Sequence, residues 1–299
     1  MSEAVEIAPI GPAATTGSVG TRRSWQACAP LLLAAPLLFF MLAFYAVPVL
    51  SMLMRSVNDP AWTWSHYASL AADTVFLKVL SNTLATSLIV TLGTLVLGYP
   101  VALSLARAPR HAPVTLVLIL VPLWTSVLVR SYAWMVLMGR HGLINEALLA
   151  LGMIDQPLHI LNTPRATQIA MIHILLPYMV LPIANALRQI DPSLPRASSG
   201  LGATPWSTFR QITLPLSMPG VAAGTLLVFV LALGFYITPA MLGGPREITL
   251  SMLIAQQVEQ LNWAYAATLS TVLLATTLLI IAGLSRLPGV GNAFRMSAR

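Results

Sequence analysis

Asp191-Pro-Ser-Leu-Pro-Arg-Ala-Ser-Ser-Gly200-Leu-Gly-Ala-Thr-Pro-Trp-Ser-Thr-Phe-Arg210-Gln-Ile-Thr-Leu-Pro-Leu-Ser-Met-Pro-Gly220 is too polar to cross a bilayer and too patterned to be slack linkage. Asp191-Pro192 reads as a helix N-cap followed by proline at the first helical position. Thr204-Pro205 repeats that signal ahead of Trp206-Ser-Thr-Phe-Arg210. Two short helices are predicted, and Gly202 between them supplies a positive φ that other residues adopt only at a cost. The pair should fold into an L-shaped projection. Trp206 and Phe209, three apart on one helical face, give it an apolar knob. Such a knob suits a groove on a soluble motor subunit.

Outward from this segment the chain is apolar on both sides. Of its 299 residues 57% are hydrophobic and 8% charged, against about 25% charged in an ordinary soluble domain. The charges leave six stretches free of Asp, Glu, Lys and Arg: 24–54, 79–106, 111–129, 166–187, 211–245 and 260–285. Each suffices for the ~20 apolar residues that cross a bilayer core. The prediction is an all-α polytopic bundle of six transmembrane helices, near 29–54, 80–106, 113–138, 166–189, 217–238 and 264–286. Residues 1–28 read as a disordered cytoplasmic tail, 29–286 as one transmembrane domain carrying the 191–220 segment, and 287–299 as a second cytoplasmic tail. The single cysteine, Cys28, leaves no internal disulfide.

Charge sets the orientation. With both termini cytoplasmic, the inner segments hold ten of the 16 Lys and Arg against three acids, and the outer segments six against six. That bias follows the positive-inside rule. A pI near 10.2 thus marks membrane orientation, not nucleic-acid binding. Trp62, Trp64, Tyr67, Trp134, Trp263 and Tyr265 fall near the expected outer boundary, where amphipathic rings sit. Gly220-Val-Ala-Ala-Gly224 offers a small face for close helix approach.

Two outer segments look helical, 142–154 and 248–261. The second has an apolar stripe from Ile248 to Leu261, with Gln256, Gln257, Glu259 and Gln260 on or beside the opposite face. It reads either as a cap on the bundle or as a docking surface for an external partner.

Catalysis finds no support. The only lysine, Lys78, is followed by Val79, which excludes a Gly-x-x-x-x-Gly-Lys-Ser/Thr phosphate loop. The five histidines form no zinc pattern, and no two carboxylates share a span. No cofactor or metal is expected. His173, alone in the fourth span, reads as a hydrogen-bonded core histidine. Arg130 is a charge inside the third span, and such residues usually face the bundle interior or a water-filled cavity. It is expected to line a translocation route or its outer gate, with Tyr132, Trp134, Phe235, Tyr236 and Thr238 as companions. Its partner would be Glu247 or Glu259 at the outer mouth, or a carboxylate on the solute.

The run from Arg196 to Gly220 resembles the EAA loop, E-A-A-x(3)-G-x(9)-I-x-L-P, of type I ABC importer permeases of the MetI-like fold. Ala197, Gly202, Ile212, Leu214 and Pro215 match, while Arg196 and Ser198 depart from the pattern. Leu97 to Arg107, Pro122 to Met135, Gly142 to Asn145 and Thr238 to Gly244 are similar to the spermidine/putrescine branch of that family, over about 29–286.

The resemblance implies a bacterial inner-membrane permease subunit with no enzymatic activity of its own. It implies two cytoplasmic ATP-binding subunits, a second permease subunit and a periplasmic solute-binding protein as partners. Ala197, Gly202, Ala203, Thr204, Pro205, Trp206, Phe209, Arg210, Leu214 and Pro215 would couple ATP hydrolysis to alternating access, and the face carrying Gln256 and Gln260 would receive the binding protein. The solute would be a polyamine or another cationic or amino-acid-derived molecule such as an opine. The alternative is an autonomous channel or secondary transporter. Secondary carriers rely on intramembrane ionisable groups, and here only Arg130 and His173 qualify.

Overall fold

The computed structural model describes residues 34–58, 62–107, 112–245 and 247–285. Both predicted tails lie outside these residues. The chain forms two compact units, up to Met54 and from Arg55 onward. The first contributes all but the last residue of α1 (Ala34–Arg55), which contains a π turn at Leu42–Ala46 and a stacked Phe40–Phe44 pair with centroids 4.7 Å apart.

The second unit is helical throughout its described residues apart from turns and one isolated bridge, Asn58 to Trp62. After α2 (Ser65–Ala72), Asp73 starts α3 (Thr74–Arg107) by accepting the Val75 N–H at 2.8 Å. At 34 residues and 1.5 Å rise per residue, α3 is longer than the ~30 Å hydrocarbon core requires. It starts well before the predicted 80, because Lys78 is one charge on an otherwise continuous helix.

The predicted third span is broken. α4 (Ala112–Trp124) and α5 (Val127–Leu137) meet at a 101° bend. Pro122 lacks an amide proton, and its carbonyl accepts both the N–H and the hydroxyl of Thr125, closing α4. Ser126 then caps α5 by accepting the Leu128 N–H at 3.3 Å. Within α6 (Leu143–Ala150), buried Asn145 bonds the carbonyls of Gly139 and Leu158 and the Leu158 N–H, fixing the connection between α5 and α7.

α7 (Pro164–Arg188) begins at the Thr163 cap. Two short helices follow, α8 (Ser193–Gly200) and α9 (Pro205–Thr208). A π turn over Phe209–Thr213 leads directly into α10 (Leu214–Leu233). Residues 205–233 are thus one 29-residue helical run, and the fifth span does not start afresh at 217. It ends at Leu233 and not at 238, with α11 (Ile237–Leu242) as a separate short helix. α12 (Leu250–Glu259) and α13 (Trp263–Ser285) complete the described residues. Among the described residues, five helical runs are long and apolar enough to cross a membrane, six if the bent α4–α5 pair is one span.

The main core joins α3, α7 and α10 around Val90, Met179, Val180, Ile183 and Val228. Gly220 and Gly224 make the α7–α10 approach possible. A Cβ at 220 would lie 2.7 Å from the Pro182 carbonyl oxygen, and one at 224 would lie 3.0 Å from the Met179 sulfur. On the buried face of α3, the hydroxyls of Thr83, Ser87, Thr91 and Thr94 bond the carbonyls of Val79, Thr83, Ser87 and Val90. Those polar groups are satisfied within their own helix, as an apolar surrounding demands.

Candidate functional site

The segment between α7 and α10 has the local chemistry its sequence indicates. Asp191 Oδ1 accepts the Ser193 N–H at 2.8 Å. That backbone bond, then the Ser193 hydroxyl and Arg196, hold the exposed carboxyl below the usual carboxylate range. Thr204 caps α9 by accepting the Ser207 N–H at 3.2 Å, and Gly202 turns the chain with φ of +82°. Ser198 Oγ and Thr208 Oγ1, 2.9 Å apart, tie α8 to α9. Ala197, Thr204, Pro205, Arg210 and Pro215 are exposed, while Ala203 and Leu214 are half-buried.

The two aromatic residues divide their roles. Trp206 is 69% exposed and stacks on Phe209, with centroids 5.5 Å apart and planes at 25°. Phe209 is half-buried and turns inward to meet Tyr99 of α3 edge-on at 5.8 Å. Tyr99 shares a 2.8 Å hydrogen bond with Ser217 of α10. Two turns further along α3, Arg107 Nη2 donates to Thr213 Oγ1 at 3.0 Å. The sequence reading did not include Tyr99, Arg107, Thr213 or Ser217 in this site. Their spacing of eight residues on one face of α3 was the available signal for the first two.

The cluster around Arg130 gathers some of its expected members and separates others. Arg130 and Trp134, one helical turn apart on α5, stand together. Trp134 Nε1 donates to His173 Nδ1 at 3.2 Å, and their rings meet at 67°. His173 is hydrogen-bonded as expected but lies on an exposed face of α7, so it is not a core residue. The electrostatic neighbours of Arg130 are Tyr178 and His173, both on α7. Its Nε and Nη1 are covered and lack hydrogen-bond partners, so the expected bond from them to Glu247 or Glu259 is not formed.

Thr238 is fully buried and bonds Ser131 Oγ at 2.7 Å, pinning α11 to α5. Tyr132 and Tyr236 are exposed, and Phe235 packs against the main core.

Elsewhere in the second unit, α12 is seated by Leu250, fully buried beside Phe76, Val79 and Leu269, with its N–H donating to Thr83 Oγ1 at 2.8 Å. Gln256, Glu259 and Gln260 are exposed, while Gln257 is half-buried and accepts the Asn262 side-chain N–H at 3.0 Å.

A bundle of apolar helices, with a capped short-helix segment fused to one of them, defines a polytopic membrane permease. Residues 28–286 match the binding-protein-dependent transport system inner membrane component family, and the chain belongs to that family. It is 38% identical over 231 residues to the spermidine/putrescine transport system permease protein PotB of Escherichia coli K12, covering 76% of this chain and 84% of that one. To the inner membrane ABC transporter permease protein YdcU of the same organism it is 32% identical, covering 70% and 71%. Among solved structures, a bacterial ABC transporter involved in alginate import has the same fold. Its TM-score is 0.73 at 20% identity, with 93% of this chain and 99% of that one covered. The chain is therefore a multi-pass inner-membrane transport subunit of a binding-protein-dependent ABC system, and not an enzyme.

Proposed function

We propose that this chain forms half of the membrane pathway of an importer for a small amine-bearing solute, polyamine or amino-acid-derived. The other half would be a second permease subunit, and two cytoplasmic ATP-binding subunits would drive it. The curated relatives named for spermidine and putrescine support the amine part of the reading. Both termini lie in the cytoplasm on this reading, in keeping with the bias of Lys and Arg toward the segments that would then face inward.

The observation that carries it is the fusion of the 205–208 helix to a membrane-spanning helix through one continuous run, with Phe209 packed on Tyr99. A push on Trp206 then moves α10 and α3 together. ATP binding would close the motor subunits, and residues Ala197 to Pro215 would pass that stroke into the bundle, exposing the route alternately outward and inward. Solute would be delivered by an external binding protein resting on the Gln256 and Gln260 surface. Reconstitution tests this directly: uptake of labelled putrescine or ornithine into proteoliposomes should require the ATP-binding subunits, the binding protein and ATP. Uptake by this chain alone, driven by an ion gradient, would overturn it.

A further inference from the structure

We propose that Ser251 is a positioning residue for the coupling stroke. Its hydrogen bond to the Phe235 carbonyl joins α12 to the helical run that carries Trp206, so that a binding protein resting on α12 is felt at the coupling segment. This rests on the reading that α12 receives the binding protein and deepens it. The bond exists because the chain leaves the Phe235 carbonyl without a donor of its own. α10 stops at Leu233, the Phe235 N–H folds back on the Ala232 carbonyl at 3.3 Å, and α11 starts only at Ile237. In a continuous helix the Phe235 carbonyl would accept the N–H four residues on, but residue 239 is a proline and has none. A carbonyl in a half-buried junction between apolar helices needs a donor, and Ser251 Oγ supplies it at 2.8 Å from the first turn of α12. That bond uses the serine proton, so in the 3.0 Å contact between the Thr249 and Ser251 hydroxyls the threonine donates. Thr249 Oγ1 still accepts the Met252 N–H as the cap of α12. The helix cap and the cross-helix bond thus form one chain of hydroxyls, each polarising the next.

A second bond gives this contact its leverage. The Leu250 N–H, a first-turn donor with no partner inside its own helix, donates to Thr83 Oγ1 of α3 at 2.8 Å. Adjacent residues of α12 therefore grip α3 and the far end of α10. Those are the same two helices that meet the proposed coupling segment, where Phe209 packs on Tyr99 and Tyr99 bonds Ser217. Thr83 and Tyr99 both lie on α3, separated by about 24 Å at 1.5 Å rise per residue. α3 and α10 are thus two rails, with α12 across one end and the aromatic pair across the other. The break between α10 and α11 has room to bend, since a Cβ at Gly234 would meet nothing within 4 Å. Ser251 decides whether a shift of α12 carries that break with it.

The complete importer in proteoliposomes, with its own binding protein, gives two readings. One is the ratio of stimulated to unstimulated ATP hydrolysis, and the other is the binding protein concentration at half-maximal stimulation. Ser251→Ala should lower the ratio at least fivefold and leave the half-maximal concentration within twofold, since the docking side chains are untouched. Ser251→Thr, which keeps the hydroxyl, should hold the ratio within twofold of the unsubstituted importer. A purely structural bond predicts that stimulated and unstimulated hydrolysis fall together. An unchanged ratio in Ser251→Ala, or the same loss in Ser251→Thr, therefore overturns the link. Cross-linking of Gln256→Cys and Gln260→Cys to the binding protein, in importers with and without Ser251→Ala, separates this failure from that of the docking reading. Cross-links with an unchanged ratio overturn the link alone, and no cross-links at either position overturn both.

Discussion

The ring of Phe209 meets that of Tyr99 edge-on, with centroids 5.8 Å apart and planes at 83°, although 110 positions separate them in sequence. Phe209 belongs to the proposed coupling segment and Tyr99 to the long helix α3, so this contact is where a stroke would enter the bundle. An edge-to-face pair contributes about 0.5–1.5 kcal/mol, and the Tyr99 hydroxyl bond to Ser217 adds about 0.5–1.5 kcal/mol. Tyr99→Phe keeps the ring and loses only the bond to Ser217, so it should retain most uptake. Tyr99→Leu removes both and should lower solute moved per ATP hydrolysed at least fivefold, while the complex still assembles. An unchanged ratio in Tyr99→Leu would refute transmission through this contact.

Gly202 offers a second test because its constraint is conformational and not steric. Its φ is +82°, and a Cβ there would meet nothing within 4 Å. Side chains should therefore be ranked by their tolerance of the left-handed region. Asn, which visits it readily, should preserve most uptake. Val should cost about 1–2 kcal/mol and disorder the α8–α9 turn. Equal uptake by Gly202→Asn and Gly202→Val would show that the turn is not needed. The aromatic knob is tested separately by Trp206→Ala with Phe209→Ala, which should abolish uptake while the spans remain inserted.

What the sequence made legible here was local. The Thr204 cap, the positive φ at Gly202 and the close approach at Gly220 and Gly224 depend on neighbours within one turn or on residue size. The partners of Phe209 and Trp134, Tyr99 and His173, were not legible, since they come from α3 and α7. The 101° break was hidden because Thr125-Ser126 sits in an apolar run, where the capping chemistry of Ser126 is easily outweighed by hydropathy. The fifth span was expected to start near 217. The π turn over Phe209–Thr213 instead carries the chain smoothly into α10, where Pro215 lies at the first turn and tolerates its missing donor. Hydropathy also cannot tell a cavity face from a lipid face, which is why His173 read as core.

Gly220 separates packing from coupling. Its missing side chain lets α10 lie against the Pro182 carbonyl, Ile183 and Ala186 of α7. Even one methyl group would lie 2.6 Å from the Ala186 Cβ and 2.7 Å from a backbone oxygen, contacts that no side-chain rotation relieves. Gly220→Ala should cost about 1–3 kcal/mol, and Gly220→Val more, seen as a lower melting temperature of the purified complex and faster proteolysis of both helices. Wild-type thermal stability in Gly220→Val would mean that the helices part more easily than this packing implies. A Gly283→Ala control, with nothing within 4 Å of the added carbon, should be silent.

The last prediction concerns the surface of α12. Leu250 anchors the start of this helix through burial and the bond to Thr83, so its position is fixed from below while Gln256, Glu259 and Gln260 remain exposed. Gln257 is different, because its carbonyl holds the Asn262 side chain where the chain turns through Leu261 at φ +60°. If the exposed face receives the binding protein, cysteines at positions 256 and 260 should cross-link to it in the complete transporter, and solute should change the yield. Gln256→Ala with Gln260→Ala should weaken docking by about 1–2 kcal/mol if both side chains bond across the interface, a tenfold rise in the binding protein concentration needed for half-maximal ATP hydrolysis. Gln257→Ala should instead loosen the α12–α13 turn and lower stability with little effect on that concentration. Absence of cross-links at both positions, with binding-protein-stimulated hydrolysis intact, would leave α12 as a cap on the bundle.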